Sequence, residues 1–388
     1  MTRSNVTTIP LFSIQPSFLD VIADVRSGKA VKDSFWVSSR EVDAPTRYGS
    51  VDVYRESGQV VLRGQDGFDA VFSGQSIEVT CGEVRAQLKT PRRWIHTDCN
   101  IECFDVSPSG ELYIVGGPDG ELHVRSLRGS HDETLHRELK GHLSYISRAL
   151  FFPSGQVALS AGGDMQIRLW SVVDGTCART FSGHTRGVVD LALVGRGRNF
   201  LSASLDRTVS LWECGSGEMV HTFAVESEPT CLAVVNTEQA TAVEERPLEF
   251  GTGDKAAVVG CADGRVCVYG LGTREELLSV ATRGRVRAVA ASGAHALWTA
   301  SDDTVTQWDA RAFRHPVATA TLLTEVTGIA PLGGGVVLGT AGGCAVRWEG
   351  GHVGYFAGVD GAVGVGAGAG AVHVAQRARA VAVYDAGE

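Results

Sequence analysis

Positive charge is scarce in this chain: 35 lysines and arginines stand against 44 aspartates and glutamates, for a formal net charge of −9. A surface that holds nucleic acid or anionic lipid needs clustered Lys and Arg, so neither is expected as a partner. A basic protein surface suits an acidic one better. Long apolar runs are missing too. The long uncharged stretch GAVGVGAGAGAVHVAQ at 361–376 is too poor in bulky side chains to span a membrane. The start, MTRSNVTTIPLFSIQ, lacks the continuous apolar stretch of a signal peptide, so a cytoplasmic and nuclear location is expected. The nine cysteines, at 81, 99, 103, 177, 214, 231, 261, 267 and 344, include no CxxC pair. Cys99 and Cys103 beside His96 lack convincing zinc-site spacing, so no metal and no cofactor are expected. Scattered in apolar runs, these thiols read as buried and reduced.

What the chain does have is a repeat. GHLSYISRALFFPSGQVALSAGGDMQIRLW at 141–170 aligns with GHTRGVVDLALVGRGRNFLSASLDRTVSLW at 183–212. His142 and His184, Ser160 and Ser202, Asp164 and Asp206, and Trp170 and Trp212 are each 42 positions apart. A period of roughly 40–45 residues, opening on GH and closing near Trp, resembles the WD40 family, whose unit is a four-stranded propeller blade. The resemblance implies an all-β protein, a seven-bladed WD40 β-propeller. It also implies a buried polar chain in each of the two blades, in which Asp accepts from His and from turn amides, His reaches Ser, and Ser reaches the Trp indole. These eight residues are expected to be structural.

Weaker copies follow the same template. His96, the PSG turn at 108–110 and Asp119 mark an upstream blade with Arg125 in the Trp position. Downstream, Asp263 stands six before Tyr269 and Asp302 six before Trp308. Trp348 has Gly342 in the Asp position, and Gly351–His352 is expected to open a last blade ending at Tyr384. The propeller is then assigned to 81–388, with GEVRAQLKT at 82–90 as the strand that closes the ring. The interval from Asp206 to Asp263 is 57 residues, and its excess falls in 236–255, which reads as a mobile loop.

Residues 1–80 do not match the blade template. They read as a small, mostly-β N-terminal appendage, with a short helix carrying Phe18, Leu19, Ile22 and Val25 on one stripe and Trp36 as a core anchor.

No catalytic constellation stands out, and a non-enzyme is expected. His184, Ser202 and Asp206 share the composition of a nucleophilic triad, but their blade positions favour a structural role. The glycine-rich run GVGAGAG, 364–370, is spaced GxGxGxG, close to but not a GxGxxG motif; it lacks the strand-to-helix context of a dinucleotide site and reads as a strand-to-strand connection. GRGRN at 195–199 reads as a solvated basic turn. The functional clue is acidic. Glu226, Glu228 and Glu325 precede inner strands, and Asp302 and Asp303 lie in a turn on the same face, where they are candidates for steering a basic partner.

The run at 148–218, with FFPSG, LSAGGD and VGRGRNFLSASLDRTVSLWECG, resembles the proteasomal-ATPase-associated factor family. That resemblance implies a monomeric, non-catalytic assembly chaperone of the proteasome regulatory particle. Such a protein binds the C-terminal domain of a proteasomal ATPase subunit in intermediates of the regulatory-particle base. The competing expectations are a substrate receptor of a ubiquitin ligase and a generic interaction scaffold.

Overall fold

The computed structural model describes residues 6–97, 99–127, 136–237, 246–292, 295–311, 315–349, 351–359, 361–368, 370–377 and 379–386. Its strands form seven four-stranded antiparallel blades: blade 1 (103–138), blade 2 (146–182), blade 3 (188–224), blade 4 (229–281), blade 5 (286–321), blade 6 (326–356) and blade 7 (362–385, closed by an N-terminal strand). The inner strands neighbour one another around the ring, and that of blade 7 meets that of blade 1. The described strands therefore form a seven-bladed β-propeller.

Residue size and polarity explain the order within a blade. The second strand of blade 3, Asn199–Ser204, is buried at all six positions, while its outer strand, Met219–Ala224, buries only Phe223. A strand covered on both faces by neighbouring blades reads as an unbroken run of apolar and small residues; an outer strand half-covered by solvent does not. The hairpin from Ser204 to Thr208 turns through Leu205, Asp206 and Arg207, with Arg207 in the left-handed region at φ 66°. Such a three-residue connection needs a left-handed closing residue.

Hydroxyls and carboxylates of the inner strands tie neighbouring blades together at five of the seven junctions. Asp105 accepts from the Phe151 N–H at 2.8 Å, and Asp190 from the Leu232 N–H at 2.7 Å. Ser147 donates to the Val188 carbonyl at 2.6 Å, Thr230 to Val286 at 2.6 Å and Thr327 to Ala362 at 2.5 Å.

The closing strand is Arg93–His96, antiparallel to Ala380–Asp385 with Ile95 opposite Val381. This corrects the assignment of 82–90. Cys81 pairs with Val84 across a turn in which Gly82 has φ 62°, so Val84–Lys89 folds back on Ser76–Cys81 as a local hairpin. Its other edge runs parallel to the outer strand of blade 6, His352–Phe356. A local hairpin costs little loop-closure entropy, which leaves the segment after Pro91 to close the ring.

Three other expectations also change. Gly351–His352 lies in the hairpin between the last two strands of blade 6, at the opposite end from the loops that lead into a blade. Within GVGAGAG, residues 364–368 belong to the inner strand of blade 7, Ala362–Gly368. Trp36 is 43% exposed, because its strand turns Phe35 and Val37 inward.

The appendage is not a separate body. Val6–Thr8 adds in parallel to the outer strand of blade 5, and Val84–Lys89 extends blade 6. One apolar cluster runs from Phe18, Val21, Ile22 and Val25 of the helix Phe18–Ser27 through Phe12 and Phe35 to Trp298 and Trp348. Val21 takes the inward place expected of Leu19, which is only partly buried.

Candidate functional site: the face of the leading loops

The loops into the inner strands share one face with the turns between second and third strands, and two polar chains underlie it. In blade 3, His184 Nδ1 lies 2.9 Å from Asp206 Oδ2, His184 Nε2 lies 2.7 Å from Ser202 Oγ, and Trp212 Nε1 donates to Ser202 Oγ at 2.8 Å. In blade 2, His142 Nδ1 lies 2.8 Å from Asp164, His142 Nε2 lies 2.7 Å from Ser160, and Trp170 donates to Ser160 at 2.7 Å. An ionised Asp only accepts and an indole N–H only donates, so the protons run in one direction: Trp to Ser, Ser to a neutral imidazole Nε2, and imidazole Nδ1–H to Asp.

Asp206 also accepts from the Thr185 N–H at 3.0 Å, the Thr208 N–H at 3.0 Å and the Thr208 hydroxyl at 2.5 Å. Burial works to raise its carboxyl, but the bonds from Thr208, Thr185 and His184 outweigh burial and hold it below the usual range. Asp164 is lowered for the same kind of reason, with His142 the main counterweight to burial.

The bond order Ser–His–Asp is that of a hydrolase triad, yet Ser160 and Ser202 are 0% exposed and each hydroxyl oxygen is already occupied by an indole N–H. No carbonyl carbon can approach them. The arrangement holds the loop ahead of the inner strand against the turn beyond the second strand.

Strand register shows what replaces this chain elsewhere. Positions equivalent to Ser202 hold Val115 in blade 1, Val259 in blade 4, Thr299 in blade 5, Leu338 in blade 6 and Val374 in blade 7. Thr299 still accepts from Trp308 Nε1 at 2.9 Å, whereas Trp348 Nε1, opposite Val336, is buried without a hydrogen bond.

On the face itself the five candidate acids lie along blades 4 to 6, and four of them are paired with arginine. Glu228 takes Arg186 at 2.8 Å, joining the loops ahead of blades 3 and 4. Glu226 takes Arg265, which also holds Asp263 at 2.7 Å. Arg287 bridges Asp302 at 3.2 Å and Glu325 at 3.1 Å, joining blades 5 and 6. Asp303 accepts from the Thr304 hydroxyl at 3.0 Å. The acids thus form an arc of exposed ion pairs rather than a bare negative patch, and such pairs individually contribute little stability.

Sequence reasoning missed the apolar part of the face. Leu143 is 88% exposed, Met165 43% and Tyr145 41%, all in the loops of blade 2. Tyr145 lies over a glycine floor: a Cβ at Gly163 would fall 2.5 Å from its ring, and one at Gly187 would fall 3.3 Å from its hydroxyl. The repeat alignment carried the signal, since Thr185, Gly187 and Arg207 occupy the matching places in blade 3. Exposed apolar residues clustered among polar ones mark an interaction surface.

The central channel is narrow. Its cavity is about 200 Å³, with Arg148 set between the inner-strand carboxylates and its Nε 3.2 Å from Asp190. A volume below that of ordinary ligand clefts leaves the loop face as the larger contact area.

The insertion at 236–255 is held in its second half. Residues 238–245 lie outside the described residues. Beyond them, Asn199 donates to the Leu248 carbonyl at 2.8 Å and accepts from the Phe250 N–H at 2.8 Å, while Arg198 stacks 3.3 Å from the Phe250 ring centroid. Buried Glu249 receives Arg274. GRGRN is therefore a clamp for this loop rather than a free basic turn.

Comparison with known proteins agrees with this geometry. The family model described as WD domain, G-beta repeat matches residues 133–171 and 175–213. The chain is 33% identical to 26S proteasome regulatory subunit RPN14 of Saccharomyces cerevisiae over 181 residues, 44% of this chain and 42% of that protein. It is 35% identical to guanine nucleotide-binding protein subunit beta-1 of Caenorhabditis briggsae over 88 residues, 22% of this chain and 26% of that one. It is 31% identical to E3 ubiquitin-protein ligase COP1 of Arabidopsis thaliana over 140 residues, 36% of this chain and 19% of that one. The chain spans less than half the length of each of these relatives.

Proposed function

We propose that this propeller is a non-catalytic, proteasome-associated scaffold. In the finer form of the proposal, it is an assembly chaperone that holds the C-terminal domain of a proteasomal ATPase subunit while the regulatory-particle base forms. The observation that carries the reading is the similarity to RPN14, a 26S proteasome regulatory subunit, over a stretch more than twice as long as the two matched repeats. The loop face supplies the physical means. Leu143, Tyr145 and Met165 provide a desolvating anchor on blade 2, and the ion-pair arc from Arg186 to Glu325 provides charges that can exchange partners. A rigid ring lowers the ordering cost of binding, and exposed charge pairs favour fast, reversible association.

The test is affinity purification of the tagged protein from its own cells at low salt, with co-purifying chains identified by mass spectrometry. Proteasomal ATPases without the full core particle support the proposal. Recovery of cullin adaptors favours a ubiquitin-ligase receptor, the reading that the similarity to COP1 supports. Reversing Asp303 and Glu325 to lysine is expected to weaken ATPase binding and leave the fold intact; unchanged affinity removes the acidic arc from the contact.

A further inference from the structure

The appendage contains two consecutive strands that do not pair. Gln59–Gly64 is the last strand of a four-stranded sheet and bonds only to Arg47–Glu56; Phe68–Phe72 is the last strand of the sheet that extends blade 6 and bonds only to Ser76–Cys81. They are joined by residues 65–67, a length that ordinarily makes a hairpin. At that end they are pinched together, since a Cβ on Gly64 would fall 1.9 Å from the Phe68 carbonyl oxygen. From there each strand follows its own sheet, and among the described residues no backbone bond joins Gln59–Gly64 to Phe68–Phe72.

The gap between them is a cavity of about 550 Å³, a size in the range of ligand clefts. Val60, Leu62, Ala70 and Phe72 line it with apolar surface continuous with the appendage core. Arg55 pairs with Val60 across the sheet, at the end away from the pinch, and Arg26 of the helix also lines the gap. Neither guanidinium has a hydrogen bond or an acidic partner among the described residues. Two unpaired strand edges, an apolar floor and two unneutralised arginines thus occupy one slot, away from the propeller loops.

We propose that this slot docks an extended peptide segment of a protein partner. The segment adds a strand between the two open edges, places alternate apolar side chains on the floor and sets a carboxylate against Arg26 and Arg55. Open edges supply backbone bonds, the floor selects side chains at every second position, and arginine recognises carboxylate through paired N–H donors. An uncharged or basic strand leaves the arginines facing no partner, which is why the occupant is acidic at that end.

The experiment uses the full chain and a labelled octapeptide in which valine alternates with threonine and two aspartates close one terminus. Saturable binding by fluorescence anisotropy is expected. The double variant Arg26→Glu/Arg55→Glu should weaken it about tenfold or more and should prefer the same peptide closed by two lysines. Hydrogen exchange should slow in residues 59–64 and 68–72 on binding. The proposal is overturned by absence of saturable binding or by equal affinity in the double variant. It is equally overturned by protection confined to the propeller loops, or by protection of the slot that grows with protein concentration alone, which would make a second copy the occupant. Because both arginines are on the surface, the variant is expected to keep its fold, and an unchanged circular dichroism spectrum checks this.

Discussion

Replacing Asp206 by alanine removes the acceptor of four hydrogen bonds: from His184 Nδ1–H, the Thr185 and Thr208 amides and the Thr208 hydroxyl. Their losses are unequal. Asp206 retains 9% exposure, so water can reach the turn donors, but the His184 side chain is 2% exposed and its N–H is left buried. The unrecovered cost is that of about one buried donor plus a loosened turn, roughly 1–3 kcal/mol. The sign with pH follows from the depressed carboxyl. A carboxyl lowered in the fold contributes fully above its unfolded value of about 3.9 and loses that contribution as pH falls through its folded value. Urea unfolding followed by tryptophan fluorescence should therefore show a constant gap between wild type and Asp206→Ala from pH 7 down to about 4, and a narrowing gap below. Asp263→Ala is the control, because its main partner Arg265 is a surface side chain; a change within about 0.5 kcal/mol is expected there. Equal midpoints for wild type and Asp206→Ala at pH 7, or a gap that widens on acidification, would refute the reasoning.

Three further outcomes follow from the same structure. Ser202→Ala orphans both the Trp212 N–H and His184 Nε2 at a site with no solvent exposure, so it should cost about 2 kcal/mol or more and change the near-ultraviolet circular dichroism of the tryptophans. His373 is buried in blade 7, and burial, helped by Arg93, pushes its imidazole down to about 4. A histidine lowered in the fold contributes fully above its unfolded value of about 6.5 and loses up to about 3 kcal/mol as pH falls to 4, so His373→Leu should flatten stability across that window in pH-dependent unfolding. Glu249→Ala leaves Arg274 without its buried carboxylate, and hydrogen exchange in residues 246–254 should accelerate while the global midpoint moves by only about 1 kcal/mol.

Much of the fold is legible because the blade imposes chemistry at a fixed period. His, Ser, Asp and Trp recur in one register in blades 2 and 3 because an indole, a hydroxyl, an imidazole and a carboxylate must satisfy one another when buried together. Blades 1, 4, 6 and 7 are harder to read because valine or leucine fills the serine position, and an apolar residue there leaves no polar spacing to detect. The acids of the loop face were also visible as residues, but not their pairing. Arg287 lies 15 positions before Asp302 and 38 before Glu325, and only the approach of blade 5 to blade 6 brings the three together.

By itself the sequence determined the strand period, the blade type and the polar chain of two blades, because each depends on side chains within about forty residues of one another. Tertiary structure decided which strand closes the ring, since Val84–Lys89 and Arg93–His96 both alternate and a tight turn at Gly82 claims the first for a hairpin. It also decided that the appendage shares a core with blades 5 and 6, that Asn199 holds the long loop, and that two neighbouring strands part to leave an open slot. Each of these is a choice between partners of similar local propensity, settled by packing with segments far away in the chain.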